Sequence, residues 1–186
     1  TYIRNAMKSF TPGQRLDLDR LVQSLSLAGY TRTGTVMEPG EMAVRGGIVD
    51  LFPPGRLNPV RLDFFGDTLE SIKTFDAETQ RTAKAVKKLV LMPVSEVAFG
   101  DAAVAMFRSR YVELFGGATG DDPLYEAISA GHRYAGEEHW LPLFHEHLDT
   151  LFDYVGDAPI SFDHLADEAV AHRFDQINEH YLARTE

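Results

Sequence analysis

Apolar and polar positions between residues 43 and 75 fall into short runs separated by breakers. Two runs rich in β-branched and aromatic residues, 43–52 and Val60–Phe65, flank Pro53-Pro54-Gly55-Arg56-Leu57-Asn58-Pro59, and Gly66-Asp67 offers a tight turn into 69–75. The pattern predicts a strand–turn–strand–turn–strand meander. Within Val60–Phe65, alternation puts Val60, Leu62 and Phe64 on one face and Arg61, Asp63 and Phe65 on the other. With the first face in the core, Phe65 is exposed beside Arg61. Ile48, Val49, Leu51 and Phe52 make both faces of their run apolar, as in a central strand.

Before the meander, Leu18, Leu21, Val22, Leu25 and Leu27 recur at helical spacing and predict a helix within 16–30. Asp17 or Asp19 serves its start and Gly29 its end. Residues 31–37 read as a strand, 83–88 as a short basic stretch, and 89–92 as a last strand ending at Pro93. Residues 1–14 lack periodicity and break at Thr11-Pro12-Gly13, so they are expected to lead in from a preceding subdomain. After Pro93 the pattern turns helical, over Asp101–Phe115, 124–130 and 163–184, with a loop at 116–123, aromatics mixed with acids over 134–152, and a short strand at 159–162. The expected fold class is α+β. A small antiparallel sheet with a packed helix spans 15–93, and a mainly helical α/β subdomain spans 94–186.

Charge sharpens that division. Residues 1–93 carry 13 Lys and Arg against 10 Asp and Glu, whereas residues 94–186 carry 5 against 18 and all seven His. So acidic a second half repels nucleic acid, whose binding requires phosphate neutralisation. With no cysteine, disulfides and thiolate metal sites are excluded, which fits a cytoplasmic protein. No apolar run reaches the ~20 residues of a membrane span. A chain starting at Thr1 rather than Met is expected to be a piece of a longer one.

Candidate chemistry is sparse. No glycine-rich loop ends in Gly-Lys-Ser/Thr, the arrangement that brings backbone amides and a Lys to phosphates. Gly116–Gly120 lacks the Lys and precedes Asp121 and Asp122. No Gly-x-Ser-x-Gly run positions a nucleophile. His145-Glu146-His147 and the stripe His164, Glu168, His172 resemble metal ligands in spacing, but two ligands do not define a site, and a solvated acidic–His helix face gives the same pattern. Paired acids such as Glu137/Glu138 are expected by chance among 28. These absences predict neither catalysis, cofactor nor metal in this chain. The outward face of the meander remains, where Arg45, Arg61 and Phe65 combine planar donors with an aromatic, as at interface hot spots. An equally simple reading pairs both Arg with Asp50 or Asp63 and packs Phe65 under a loop.

The run Arg45-Gly46-Gly47-Ile48-Val49-Asp50-Leu51-Phe52-Pro53 resembles the signature shared by the excinuclease component UvrB and the N-terminal module of the bacterial transcription-repair coupling factor family (Mfd). Phe75-Asp76-x-x-Thr79-Gln80-Arg81 favours the coupling factors. The resemblance continues through Phe107-Arg108, Ala135-Gly136-Glu137-x-x-Trp140-Leu141-Pro142-Leu143-Phe144 and Leu151-Phe152-x-Tyr154, while His145 and His147 depart from the pattern. It implies that the first half binds the excinuclease component UvrA through Arg45, Arg61 and Phe65. It also implies that 94–186 is most of the next subdomain, and that the module lacks ATPase motifs. ATP-driven DNA translocation and contacts with RNA polymerase and DNA would belong to other domains. The alternative, a fragment of an active UvrB-like helicase, requires phosphate-loop and aromatic-hairpin sequence that this chain lacks.

Overall fold

The computed structural model describes residues 2–97, 99–117 and 122–185. They divide into two compact units, Thr1–Leu148 and Asp149–Glu186.

In the first unit, helix α1 (Tyr2–Ala6) and strand β1 (Lys8–Phe10) precede helix α2 (Leu18–Leu27). Asp17 caps α2 by accepting the Arg20 backbone N–H at 2.9 Å. At the other end Tyr30 N–H reaches Leu25 O and Gly29 N–H reaches Ser26 O, each at 3.0 Å, with Gly29 at φ +96°. This double bond pattern satisfies the last carbonyls and needs a left-handed residue after the helix.

A six-stranded sheet follows in the order β2 (Thr31–Arg32), β3 (Glu41–Arg45), β4 (Ile48–Leu51), β5 (Val60–Phe65), β6 (Thr68–Phe75), β7 (Thr82–Ala85). It is antiparallel except between β2 and β3, so the sheet is mixed rather than purely antiparallel. The stretch 43–52, expected as one strand, is a hairpin, because Gly46-Gly47 turns the chain back on itself. Of the strand expected over 31–37 only Thr31–Arg32 pairs. Alternation in β5 holds, with Val60 and Leu62 fully buried and Phe64 half-buried against the same core. On β6 a bulge at Glu70 lets Ser71 pair with Asp63 and Leu69 with Phe64. One extra residue thereby turns both Leu69 and Ile72 inward.

The main core joins Leu21 and Leu25 of α2 to Met42, Val49, Leu51, Val60, Leu62, Leu69 and Ile72. Strand β8 (Leu89–Leu91) leaves the large sheet and pairs with β1, Lys8 opposite Leu91. The segment 1–14, read from sequence as a lead-in, thus contributes Phe10 to this core.

A second core in the same unit is built from Val97, Phe99, helix α3 (Asp101–Phe115), helix α4 (Pro123–Ser129), a 3-10 turn (Glu137–Trp140) and helix α5 (Leu141–Phe144). Phe107 is its centre, stacked on Phe144 at 4.8 Å. Arg110 donates to the carbonyls of Pro142 and His145, tying α3 to the end of α5. Val94 N–H to Ala28 O (2.8 Å) and Arg133 Nη2 to Leu27 O (2.9 Å) join the two cores. Charge composition changes where one core gives way to the other, whereas the compact units part further on, after Leu148.

The second unit holds α6 (Leu151–Val155), started by a reciprocal Thr150–Asp153 capping box, and α7 (Ala166–Thr185). The strand expected at 159–162 is absent, since the described unit offers no partner strand for its backbone groups. Phe152, Phe162, Val170, Phe174 and Ile177 are exposed. Asp121 of the expected loop and the Tyr181 side chain lie outside the described residues.

Candidate docking surface

The two faces of the large sheet differ. One lies against α2 and holds the core. Strand register places Ala43 and Arg45 of β3, Ile48 and Asp50 of β4, Arg61, Asp63 and Phe65 of β5, and Ser71 and Lys73 of β6 on the other. At one end of this second face Val36, Ala43, Phe52 and Phe75 form a small buried cluster. Charged side chains follow, and Phe65, 77% exposed, stands at the far end.

Asp50 is the centre of the charged part and is fully buried. Its Oδ1 accepts from Arg61 Nε at 2.7 Å. Its Oδ2 accepts from Arg61 Nη2 at 2.9 Å and from Arg45 Nη2 at 2.5 Å. Arg61 is mostly covered, lying over the Phe75 ring at 4.8 Å, while Arg45 is half-exposed. Hydrogen bonds to Asp50 make the Arg61 guanidinium hold its proton more tightly still, against the opposing effect of partial burial. Burial alone would raise the Asp63 pKa. Hydrogen bonds from Ser71 Oγ (2.6 Å) and Lys73 Nζ (3.1 Å), with the Lys73 and Arg61 charges, hold it below the usual carboxylate range instead.

The two arginines pair with Asp50, as the simpler reading has it, and Arg45 still reaches solvent. Phe65 packs under no loop. Its position follows from the hairpin turn behind it, where Phe64 N–H donates to Gly47 O at 2.7 Å. Sequence reasoning offers Asp50 or Asp63 as partner of both arginines, and misses that Asp50 alone takes both and is fully buried. Its one signal there is a lone acid inside the apolar run Ile48-Val49-Asp50-Leu51-Phe52.

Elsewhere, among the described residues no group of three or more His, Asp or Glu is arranged to hold a metal ion. His164 pairs with Asp163 at 2.5 Å. No helix among them is long and apolar enough to cross a membrane.

The first unit thus holds a helix-backed sheet whose face opposite α2 carries both charged and aromatic side chains. Residues 9–97 match the family model described as "UvrB interaction domain". The chain is further similar to transcription-repair-coupling factors. It is 38% identical to that of Haemophilus influenzae over 94% of the chain and 36% identical to that of Rickettsia prowazekii, also over 94%. To that of Escherichia coli it is 43% identical over 76% of the chain. It spans about 15%, 15% and 12% of the length of these three relatives.

Proposed function

We propose that this chain is the part of a transcription-repair coupling factor that recruits UvrA, docking it on the sheet face that carries Arg45, Arg61 and Phe65. The observation that carries the reading is that the sheet face opposite α2 bears both the exposed Phe65 and the half-exposed Arg45. Exposed aromatics and guanidinium donors on one surface are the residue types that dominate interface energetics. Arginine engages carboxylates through two parallel hydrogen bonds, so an acidic, partly apolar patch on UvrA suits this face. The reading assigns the chain a cytoplasmic binding role without catalysis of its own. ATP use and contacts with RNA polymerase and DNA then fall to other parts of the full-length protein. Titration of purified UvrA with the wild-type chain and with Arg45→Ala, Arg61→Ala and Phe65→Ala tests it. Wild-type affinity in all three folded variants refutes the surface, and ATP turnover by the chain alone refutes the division of labour.

A further inference from the structure

Arg45 and Arg61 come from strands separated by β4. One carboxylate spans that gap. Asp50 sits in register with Arg61 on one side and with Ala43 on the other. The short Ala43 side chain stands two residues from Arg45 on the same face. Arg61 has further restraints, from the Phe75 ring and from the Gln80 carbonyl at 3.5 Å. Among the described residues, Asp50 is the one acceptor that holds the Arg45 guanidinium. Asp50 gives both oxygens to the arginines and is itself out of reach of solvent.

We propose that Asp50 is a positioning residue of the docking surface: one buried carboxylate fixes both guanidinium groups with their outer edges presented to the partner. The proposal rests on the reading of this face as a UvrA contact. Its physical content is preorganisation. A long side chain already held in its bound geometry loses less freedom on docking than a free one. Asp50 also lowers the positive charge of the face, so its two effects oppose each other. A surface acting through net charge alone binds an acidic patch more tightly without Asp50. A surface acting through fixed geometry binds it more weakly.

The test is a UvrA titration of the 186-residue chain and its variants, with thermal melting as the fold check. Asp50→Asn should weaken binding about tenfold although it adds net positive charge. On an Arg45→Ala background the same change should cost distinctly less, and on a Phe65→Ala background about as much as in wild type, because coupling is confined to residues in contact. A merely structural loss would damage the Phe65 contact as well. Asp50→Asn binding as tightly as wild type or more tightly overturns the proposal. If Asp50→Asn does not fold, Asp50→Leu/Arg61→Met removes the inner pair without stranding a buried charge. Adding Arg45→Ala there should cost less than about threefold, against at least about tenfold in wild type. Equal cost in both backgrounds overturns the proposal. Failure of the wild-type chain to bind UvrA overturns the UvrA reading instead. The positioning is then judged on order parameters of the Arg45 and Arg61 Nε–Hε groups. A rigid Arg61 in the wild type that becomes mobile without Asp50 supports it, and unchanged order overturns it.

Discussion

Gly47 lies against the backbone of Phe64. A Cβ at residue 47 would stand 2.6 Å from the Phe64 carbonyl oxygen, and Phe64 N–H donates to the Gly47 carbonyl. The β3–β4 turn is thus pressed onto β5 one residue before Phe65. Gly47→Ala should cost about 1–3 kcal/mol, since the added methyl meets backbone that can only move as a strand. Chemical denaturation measures this. The same variant should lose UvrA affinity, because the strand end that carries Phe65 shifts.

Gly29→Ala carries two penalties. The residue sits at φ +96° after α2, and a Cβ there would lie 2.9 Å from Ser95 Cβ. A left-handed alanine costs roughly 1–2 kcal/mol before the contact is counted. The melting temperature should fall accordingly. Gly13→Ala, at φ +88° with open space around it, isolates the backbone share.

The three surface residues should separate by stability. Phe65→Ala, at an exposed position, should change folding by no more than about 0.5 kcal/mol, and Arg45→Ala, which removes one charge-assisted hydrogen bond from the buried Asp50, by about 1.5 kcal/mol. Each should weaken UvrA binding roughly thirtyfold, the equivalent of about 2 kcal/mol. Arg61→Ala differs, because it removes two of the three hydrogen bonds to a buried carboxylate. It should destabilise the chain by about 3 kcal/mol or more. Arg61→Lys keeps charge without the fork and should retain part of both properties. Paired denaturation and titration curves decide.

Alkaline pH should unfold the chain through two tyrosines. Burial pushes the Tyr30 hydroxyl up to about 12. Tyr111, which hydrogen-bonds Asp122 and is also buried, is pushed up to about 12 as well. The folded state holds both protons more tightly than the unfolded chain, whose phenols titrate near pH 10. Their stabilisation is therefore complete below about pH 10 and lost as pH rises toward 12. Phenolate absorbance followed beside circular dichroism measures it. Tyr30→Phe and Tyr111→Phe should each flatten the alkaline slope.

Local patterns were legible in the sequence. Alternation placed Val60 and Leu62 in the core and Phe65 outside. Helical spacing located α2 and Gly29 its end, while the start, left between Asp17 and Asp19, falls at Asp17. The exposed aromatic and the two arginines were likewise readable from strand parity. Features set by neighbours were not. The Gly46-Gly47 hairpin hid inside an apolar run long enough for one strand. The pairing of β1 with β8 joins the strand read at 89–92 to a segment with no periodic signature of its own. Burial of Asp50 depends on two arginines arriving from other strands, and a lone acid in an apolar run marks the position without naming those partners.

The order of the strands has a kinetic consequence. β3, β4, β5 and β6 are neighbours in the sheet in the order in which they are synthesised, joined by two-residue turns at 46–47 and 66–67 and by the loop 52–59. Arg45, Asp50, Arg61 and Phe65 therefore meet through local closures only, which are entropically cheap and fast. Closing β1 onto β8 instead joins positions roughly eighty residues apart. The docking face should assemble early, before the N-terminal strand locks in. Amides of Lys8–Phe10 should exchange with solvent by openings that leave the face intact. A partner's binding surface can then be complete on a nascent chain while the unit around it is still closing.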